Sequence, residues 1–479
     1  MASFAELAVN VPHVYKTFDY RIPEHFQETA AEGVLVKVPF GPQVVQGIIL
    51  ACKEHPAVPR TKDIQKIIDP IPVVTPYQIE LARQIAADTL SPLGITLHAM
   101  LPSGLSVKAE SEYALTEKSK ARLERGQPVY PELSPAQERL VDLLAARGPL
   151  RTRQLDRALP HKRWRKTAGA LERRDVITRE TVLGSPSVSP KSERFVECTA
   201  AETQIEEEWD SLARDGYPRA LARRQHMLRL LLENEAPLNI STLYSQTDGN
   251  LNDIRQLAKR GLVQIVEKTV IRDPLEDLDV EAPQTLTLTD AQQAVWEQLE
   301  EAFNSPDPDP FLLYGVTGSG KTELYLRAVK QTLNRNKQAL ILVPEIALTP
   351  QTVRRFLRRF PGRVGVLHSE LSSGERFDTW RLARRGELQV IVGPRSALFT
   401  PFADPGLIVV DECHDDSYYQ AEIAPRYHAV QSAAAYARIT GAVCILGSAT
   451  PNTTSTYRAA RGEWIPLSLP ERILAHRDA

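Results

Sequence analysis

The chain has 479 residues, of which 42% are apolar and 25% charged, enough hydrophobic surface for about three domains of ordinary size. Its 58 Lys and Arg against 60 Asp and Glu leave a net charge of −2, which excludes a uniformly basic nucleic-acid binder and moves any such role to local patches. No apolar run reaches the roughly 20 residues of a membrane span, no signal segment opens the chain, and Cys52, Cys198, Cys413 and Cys444 form no C-x-x-C pair. A cytoplasmic protein with reduced thiols and no membrane association is the expectation.

Residues 1–105 begin with short β-like runs at 7–11, 18–22, 34–38 and 47–51, parted by Pro- and Gly-containing turns, followed by a helix-like run at 76–89. This predicts a small β-rich domain. Residues 106–132 are mixed and charged and read as a linker. An internal repeat follows. Leu140-Val141-Asp142-Leu143-Leu144 leads to Gly148-Pro149-Leu150, as Leu228-Arg229-Leu230-Leu231-Leu232 leads to Ala236-Pro237-Leu238. Helix, Pro-Leu turn, two helices and a hairpin is the order of a winged helix, so two tandem winged-helix-like units are predicted, at 133–183 and 219–272, within segments 133–200 and 201–275. The first carries a basic patch of Lys162, Arg163, Arg165, Lys166, Arg173 and Arg174 around Trp164. Such a helix suits DNA phosphates; the alternative is a solvated face with Trp164 in the core. The acidic run 201–215 reads as an exposed helix.

From 286 to 470 apolar strands at 311–314, 339–343, 364–367, 389–392, 407–410 and 443–446 alternate with helices. That order predicts a parallel sheet covered on both faces, with ligands at the carboxyl ends of its strands. The first strand runs into Gly315-Val316-Thr317-Gly318-Ser319-Gly320-Lys321-Thr322, a G-x-x-x-x-G-K-[ST] loop whose backbone N–H groups suit a triphosphate. Lys321 is placed to reach the β/γ-phosphates and Thr322 to ligate Mg²⁺ of bound ATP. Strand 407–410 ends in Asp411-Glu412-Cys413-His414, with Asp411 assigned to Mg²⁺ and Glu412 to the attacking water. Strand 443–446 ends in Gly447-Ser448-Ala449-Thr450, whose hydroxyls suit hydrogen bonds to the acidic motif. P-loop, D-E-x-H and S-A-T in this order form the signature of superfamily-2 helicases. Ahead of the P-loop, Gln292 is placed to read the adenine edge. Arg395, after strand 389–392, suits phosphate contacts along a single strand. Tyr418, Tyr419, Arg426, Tyr427 and His428 could form a base-stacking platform; the alternative packs the tyrosines inward.

These strings, with Val343-Pro344-Glu345-Ile346, Leu367-His368-Ser369 and the run Arg395-Ser396-Ala397-Leu398-Phe399-Thr400-Pro401-Phe402, resemble the primosomal protein N′ family of bacterial replication-restart helicases. Thr17-Phe18-Asp19-Tyr20 and Val38-Pro39-Phe40-Gly41 are similar to that family's domain for the 3′ end of a DNA strand. The resemblance implies an α/β multidomain protein: a β-rich DNA-binding domain, tandem winged helices and a RecA-like first motor lobe. By it, Phe18, Asp19, Tyr20, Gly41 and Lys62 line a pocket for a terminal nucleotide with a free 3′-hydroxyl; from the residues alone, Phe18 and Tyr20 also fit a strand core. It implies an ATP- and Mg²⁺-dependent helicase moving 3′ to 5′ on forked or single-stranded DNA. It also implies single-stranded-DNA-binding protein, primosome and helicase-loading proteins as partners. A DNA-binding scaffold without motor activity is the alternative.

The chain departs from the family pattern at Cys413, where a glutamate is usual, and at Val430 and Gln431 after the Arg-Tyr-His string. Residues 471–479 are expected to start the family's second motor lobe, whose zinc-binding cysteines and arginine motifs this sequence does not include, so that this polypeptide alone is expected to turn over little ATP.

Overall fold

In a computed structural model of the chain, the described residues are 3–106, 109–159, 164–183, 190–209, 218–234, 236–270 and 287–473, with Val188, Leu212 and Arg272. Contacts divide the chain into one compact unit of Met1–Val188 with Pro274–Ala479 and a second of Ser189–Asp273.

The first unit opens with β1 (Phe4–Val9), β2 (Phe18–Arg21), β3 (Leu35–Phe40), β4 (Gln43–Lys53), β5 (Lys62–Asp63) and β6 (Lys66–Asp69), in the sheet order β5-β2-β1-β4-β3-β6. Alternation sorts the side chains. Ala5, Leu7, Val9, Val36 and Ile49 fill one core, while Ala8, Leu35, Ile48 and Leu50 face a different one. On that second face lie α1 (Pro76–Asp88) and α2 (Leu93–Ala99). Helix α1 starts where the sequence dictates, with Pro76 in the first turn and a reciprocal capping box between Thr75 and Gln78.

Smaller elements come between this domain and the parallel-sheet lobe expected at 286–470. Those are β7 (Ala109–Leu115), α3 (Glu117–Glu124), α4 (Pro135–Arg147), β8 (Leu150–Arg151), α5 (Thr152–Ala158), α6 (Trp164–Arg173) and β9 (Ile177–Leu183) in the first unit. The second unit holds β10 (Lys191–Cys198), α7 (Glu202–Trp209), α8 (Pro218–Glu233), β11 (Leu238–Asn239), α9 (Ile240–Thr247), α10 (Leu251–Lys259) and β12 (Val263–Val270). Both sets run strand, two helices, strand, two helices, strand, and their sheets have equivalent orders, β8-β7-β9 and β11-β10-β12.

The internal repeat is therefore longer than its sequence signal, and two boundaries change. Residues 106–132 are not a linker: β7 is the central strand of its sheet, with Tyr113 opposite Leu150 and Arg179. Its charged alternate residues hide the period-2 placement of Tyr113 and Leu115, which point into the core. Likewise β10 pairs along its length with β12, from Lys191↔Val270 to Cys198↔Val263, so 191–198 belongs with the second repeat. The acidic helix α7 is not wholly exposed, since Ile205 is buried with Met227 and Leu228. Trp164 is core: it meets Tyr113 edge-on at 5.3 Å and donates its indole N–H to Asp156 at 3.0 Å. Arg165 is tied to the same Asp156, and Lys162 and Arg163 lie outside the described residues.

The lobe itself runs α11 (Asp290–Ala302), β13 (Phe311–Gly315), α12 (Lys321–Asn334), β14 (Gln338–Leu342), α13 (Pro350–Arg359), β15 (Val364–Val366), α14 (Ser373–Arg384), β16 (Val390–Gly393), β17 (Pro405–Val410), α15 (Ala429–Thr440), β18 (Val443–Ser448), α16 (Thr453–Ala460) and β19 (Ile465–Leu469). All pairings are parallel, in the order β15-β16-β14-β17-β18-β13-β19. Edge strand β19 has no strand-like sequence signal, because Pro466 interrupts it; an edge tolerates the missing donor.

The β-rich domain and the lobe share one core. Ile79, Ala82 and Ile85 of α1 belong to the same buried cluster as Phe399, Phe402 and Tyr436. Gln78 Nε2 donates to the Phe399 carbonyl at 2.9 Å. Arg384 lies 4.4 Å over the Trp380 ring and donates to Asp69 Oδ2 at 3.2 Å and to the carbonyls of Ile71 and Pro72 at 3.4 and 3.3 Å. Removing one partner of such a shielded ion pair strands the other. Arg384→Ala is expected to cost about 3 kcal/mol, read as a lower chemical-denaturation midpoint; an unchanged midpoint would show that the clasp does not hold the two parts together.

Candidate active site and DNA-end pocket

Strands β13 and β17 flank β18, so the P-loop, the acidic motif and Gly447-Ser448 emerge side by side at one edge of the sheet. Gly318 and Gly320 adopt left-handed φ of 83° and 82°, which turns the loop into α12 without side-chain strain. A Cβ on Gly320 would stand 2.2 Å from Gln292 Nε2. Lys321 Nζ donates to the Gly315 carbonyl at 2.7 Å, and Ser319 Oγ is buried without a partner. An orphaned hydroxyl in a loop of N–H donors is a cradle for an anion, and the donor set fits a nucleotide triphosphate. Edge strand β19 frames the loop, since the Leu469 carbonyl accepts from Val316 N at 3.3 Å.

Gln292, expected at the adenine edge, lies against the P-loop. Its amide oxygen accepts from Thr289 N and its Nε2 donates to the Ser319 carbonyl, both at 3.0 Å, so the side chain is committed to capping α11 and bracing the P-loop.

Asp411 stands at the end of β17, its N–H on the Leu342 carbonyl at 2.9 Å. The residue is partly exposed, yet enough protein crowds its carboxyl for desolvation to raise its pKa, helped by the neighbouring Glu412. The Tyr325 hydroxyl, donating to Asp411 Oδ1 at 3.0 Å, and the Lys321 ammonium pull in the other direction. Tyr325 lies one helical turn beyond Lys321 on the same face of α12, the one signal by which the sequence could have disclosed it. Its approach depends on Gly447, where a Cβ would stand 1.8 Å from the Tyr325 hydroxyl. Glu412 takes a left-handed φ of 47°, unusual for a side-chain-bearing residue, while Cys413 N donates to the Gly447 carbonyl at 2.8 Å. His414 Nδ1 shares a hydrogen bond with Ser448 Oγ at 2.8 Å and lies 3.5 Å from Glu412 Oε2, so the acidic motif and the S-A-T motif touch through His414. Thr322 follows Lys321, partly buried, at the same strand edge as Asp411.

The aromatic stretch divides. Tyr418 is fully buried, its hydroxyl on the Asp411 carbonyl at 2.7 Å, and Tyr427 is buried against Phe399. Neither offers a face to a base, which corrects the reading of all three tyrosines as a platform; in this non-periodic stretch nothing marks which ring turns inward. Tyr419 is 47% exposed and Arg426 is exposed. With the half-buried His428 they line a cleft of 270 Å³ beside Gln84 and Asp88 of α1. Arg395 likewise departs from its expected phosphate contact: its Nη1 donates to the Ser417 and Tyr419 carbonyls at 2.9 and 2.8 Å, which fixes the start of the aromatic stretch.

In the β-rich domain, Phe18, Asp19, Tyr20, Gly41 and Lys62 line one cleft of 540 Å³. Tyr20 serves the strand core as well: it is buried, donates to the Pro39 carbonyl at 3.1 Å, and burial pushes its phenol up to about 12. Phe18 meets Phe40 edge-on at 5.1 Å. Asp19 Oδ2 accepts from Ala57 N at 2.5 Å. Sequence reading missed Glu6, Lys53 and Arg60, which also line the cleft, with Thr17 of the quoted string.

A helicase lobe joined to a domain for DNA ends is the class that this fold and these sites define, and comparison agrees. Residues 289–458 match the DEAD/DEAH box helicase family and residues 6–102 the 3′DNA-binding domain (3′BD). Replication restart protein PriA of Bacillus subtilis (strain 168) is 34% identical over 98% of this chain and 56% of its own length. The PriA of Synechocystis sp. is 32% identical over 98% and 55%. Among solved structures, RecG bound to a three-way DNA junction is similar over 41% of this chain and 25% of its own, at 21% identity and a TM-score of 0.31. The chain thus carries the 3′DNA-binding domain and the DEAD/DEAH box helicase domain and is similar over nearly its whole length to PriA replication restart proteins. It spans about half the length of the curated relatives it matches. Among the described residues no helix is long and apolar enough to cross a membrane.

Because ionising Asp411 is harder in the folded chain than in the unfolded one, its charge costs stability, and that cost grows as pH rises through the raised pKa. Asp411→Asn is therefore expected to raise the unfolding midpoint at pH 7, with the gain shrinking as pH falls into the ordinary carboxylate range. A loss at pH 7, or a gain independent of pH, contradicts this.

Proposed function

We propose that this chain is the DNA-end-binding region and first motor lobe of an ATP-driven replication restart helicase. The observation that carries the reading is the convergence of Lys321, Asp411 and Tyr325 at one strand edge, in the same compact unit as the cleft around Asp19. The names of the PriA relatives and the 3′BD match support replication restart as the process and a 3′ DNA end as the ligand.

The residues 315–322 would hold the triphosphate through backbone N–H groups and Lys321, and Thr322 and Asp411 would hold Mg²⁺. Bound Mg²⁺ supplies positive charge beside the triphosphate. Glu412 orients the attacking water. His414 and Ser448 keep the acidic motif in register with β18. Tyr418, on the Asp411 carbonyl, and Arg395, on both sides of Tyr418, tie the hydrolysis edge to the exposed Tyr419 and Arg426 that would meet a single strand. Movement 3′ to 5′, and service to single-stranded-DNA-binding protein, primosome and helicase-loading partners, complete the proposal on the strength of the family.

In the full-length protein, Lys321→Ala is expected to lower DNA-stimulated ATP hydrolysis by at least about 100-fold while leaving binding to a 3′-ended strand in place. Hydrolysis retained in the variant contradicts the motor reading.

A further inference from the structure

The charges of the 540 Å³ cleft in the β-rich domain are sorted by depth. Inside are Glu6 and Asp19, bridged by Lys53 at 2.5 and 3.4 Å, with the Thr17 hydroxyl donating to Glu6 at 2.7 Å. Those hydrogen bonds from Lys53 and Thr17 hold the Glu6 carboxyl below the usual carboxylate range, so Lys53 is spent on two acids. At the mouth stand Arg60 and Lys62, both exposed. The acid nearest them in sequence, Asp63, is taken by Arg21 through hydrogen bonds of 2.7 and 2.6 Å. Among the described residues no acid pairs with Arg60 or Lys62; the Lys62 ammonium reaches the Gly41 carbonyl at 3.4 Å.

Arg60 is also fixed in place from both sides. Three residues before it, Ala57 N is anchored on Asp19 Oδ2, and two residues after it Lys62 pairs with Tyr20 as β5 joins β2. A short span between two anchors holds its backbone beside the cleft that its side chain lines.

We propose that Arg60 and Lys62 hold the phosphodiester linkage next to the terminal nucleotide, so that the cleft recognises a strand end by two features: a neutral hydroxyl at the acidic interior and one anionic linkage at the cationic mouth. The proposal rests on reading the cleft as the site for a 3′ end. A phosphate cannot sit against Glu6 and Asp19 without repulsion, whereas two cations with no acid partner among the described residues match one linkage anion at the mouth. The pair supplies affinity for any sequence, since a linkage carries no base information.

The test is fluorescence anisotropy with a short 3′-hydroxyl single strand whose terminal linkage is either the natural phosphodiester or an uncharged methylphosphonate, against the wild-type chain and the exposed-site double variant R60A/K62A. The natural strand is expected to bind the variant about fivefold more weakly, with its log–log salt slope reduced by about one. The methylphosphonate strand should lose a similar factor with the wild type and almost nothing more with the variant, the signature of two changes that remove one contact. Losses that multiply in full, or a methylphosphonate bound as tightly as the natural strand, overturn the assignment. A 3′-phosphorylated strand separates this from the reading beneath it. Both proteins should prefer the 3′-hydroxyl, and a wild-type chain indifferent to that end would refute the cleft itself rather than its mouth.

Discussion

A carboxylate held at the end of a buried parallel strand, partly withdrawn from water, is the constraint on which the site depends. Burial and the adjacent Glu412 oppose charge on Asp411, and Tyr325, Lys321 and the local backbone favour it. Each compensating group needs a particular fold feature. Tyr325 needs α12 to start at the P-loop, so that one turn carries it back over the strand edge. It also needs Gly447, because any side chain there would occupy the position of its hydroxyl. The parallel sheet supplies the rest by ending β13, β17 and β18 together. The same burial without these donors would oppose the charge further; the Tyr325 hydroxyl and the Lys321 ammonium offset part of it.

The same residue anchors what lies beyond it. Its backbone carbonyl takes the Tyr418 hydroxyl, and the carbonyls on either side of Tyr418 take Arg395, so the stretch leading to Tyr419 is pinned to the ends of β16 and β17. Helix α1 of the β-rich domain packs along the same cleft and shares a core with α15. The cleft around Asp19 and the P-loop edge thus belong to one packed body, in which Gln78 and Arg384 make the polar connections.

The readable parts of this architecture were those written in local backbone demands. The glycines of 315–322, the apolar run into Asp411 and Pro76 with its Thr75 cap each state a conformation within a few residues. Long-range partners were not readable. Tyr325 looks like any helix residue, and its role arises from Asp411, 86 residues later at the end of another strand. Tyr418 and Tyr419 are adjacent and chemically identical, yet one is buried and the other exposed, because the contact that decides comes from Asp411 and Arg395. Gln292 and Arg395 have side chains suited to ligands and are used on carbonyls of the chain. The central strand β7 was hidden for a related reason: Glu110 and Glu112 alternate with its apolar residues in the sequence, and the partners that make it a strand lie at 150–151 and 177–183. At the cleft the tetrad Thr17-Phe18-Asp19-Tyr20 was legible, whereas Lys53 and Arg60 come to it only through strand pairing and the Ala57 anchor.

The most direct test is magnesium-dependent binding of a fluorescent ATP analogue to this chain, measured for the wild type, Lys321→Ala and Asp411→Asn. The account predicts binding by the wild type that strengthens with Mg²⁺, binding lost in Lys321→Ala, and binding in Asp411→Asn that no longer responds to the metal. Equal affinity and equal metal response in all three proteins would contradict it.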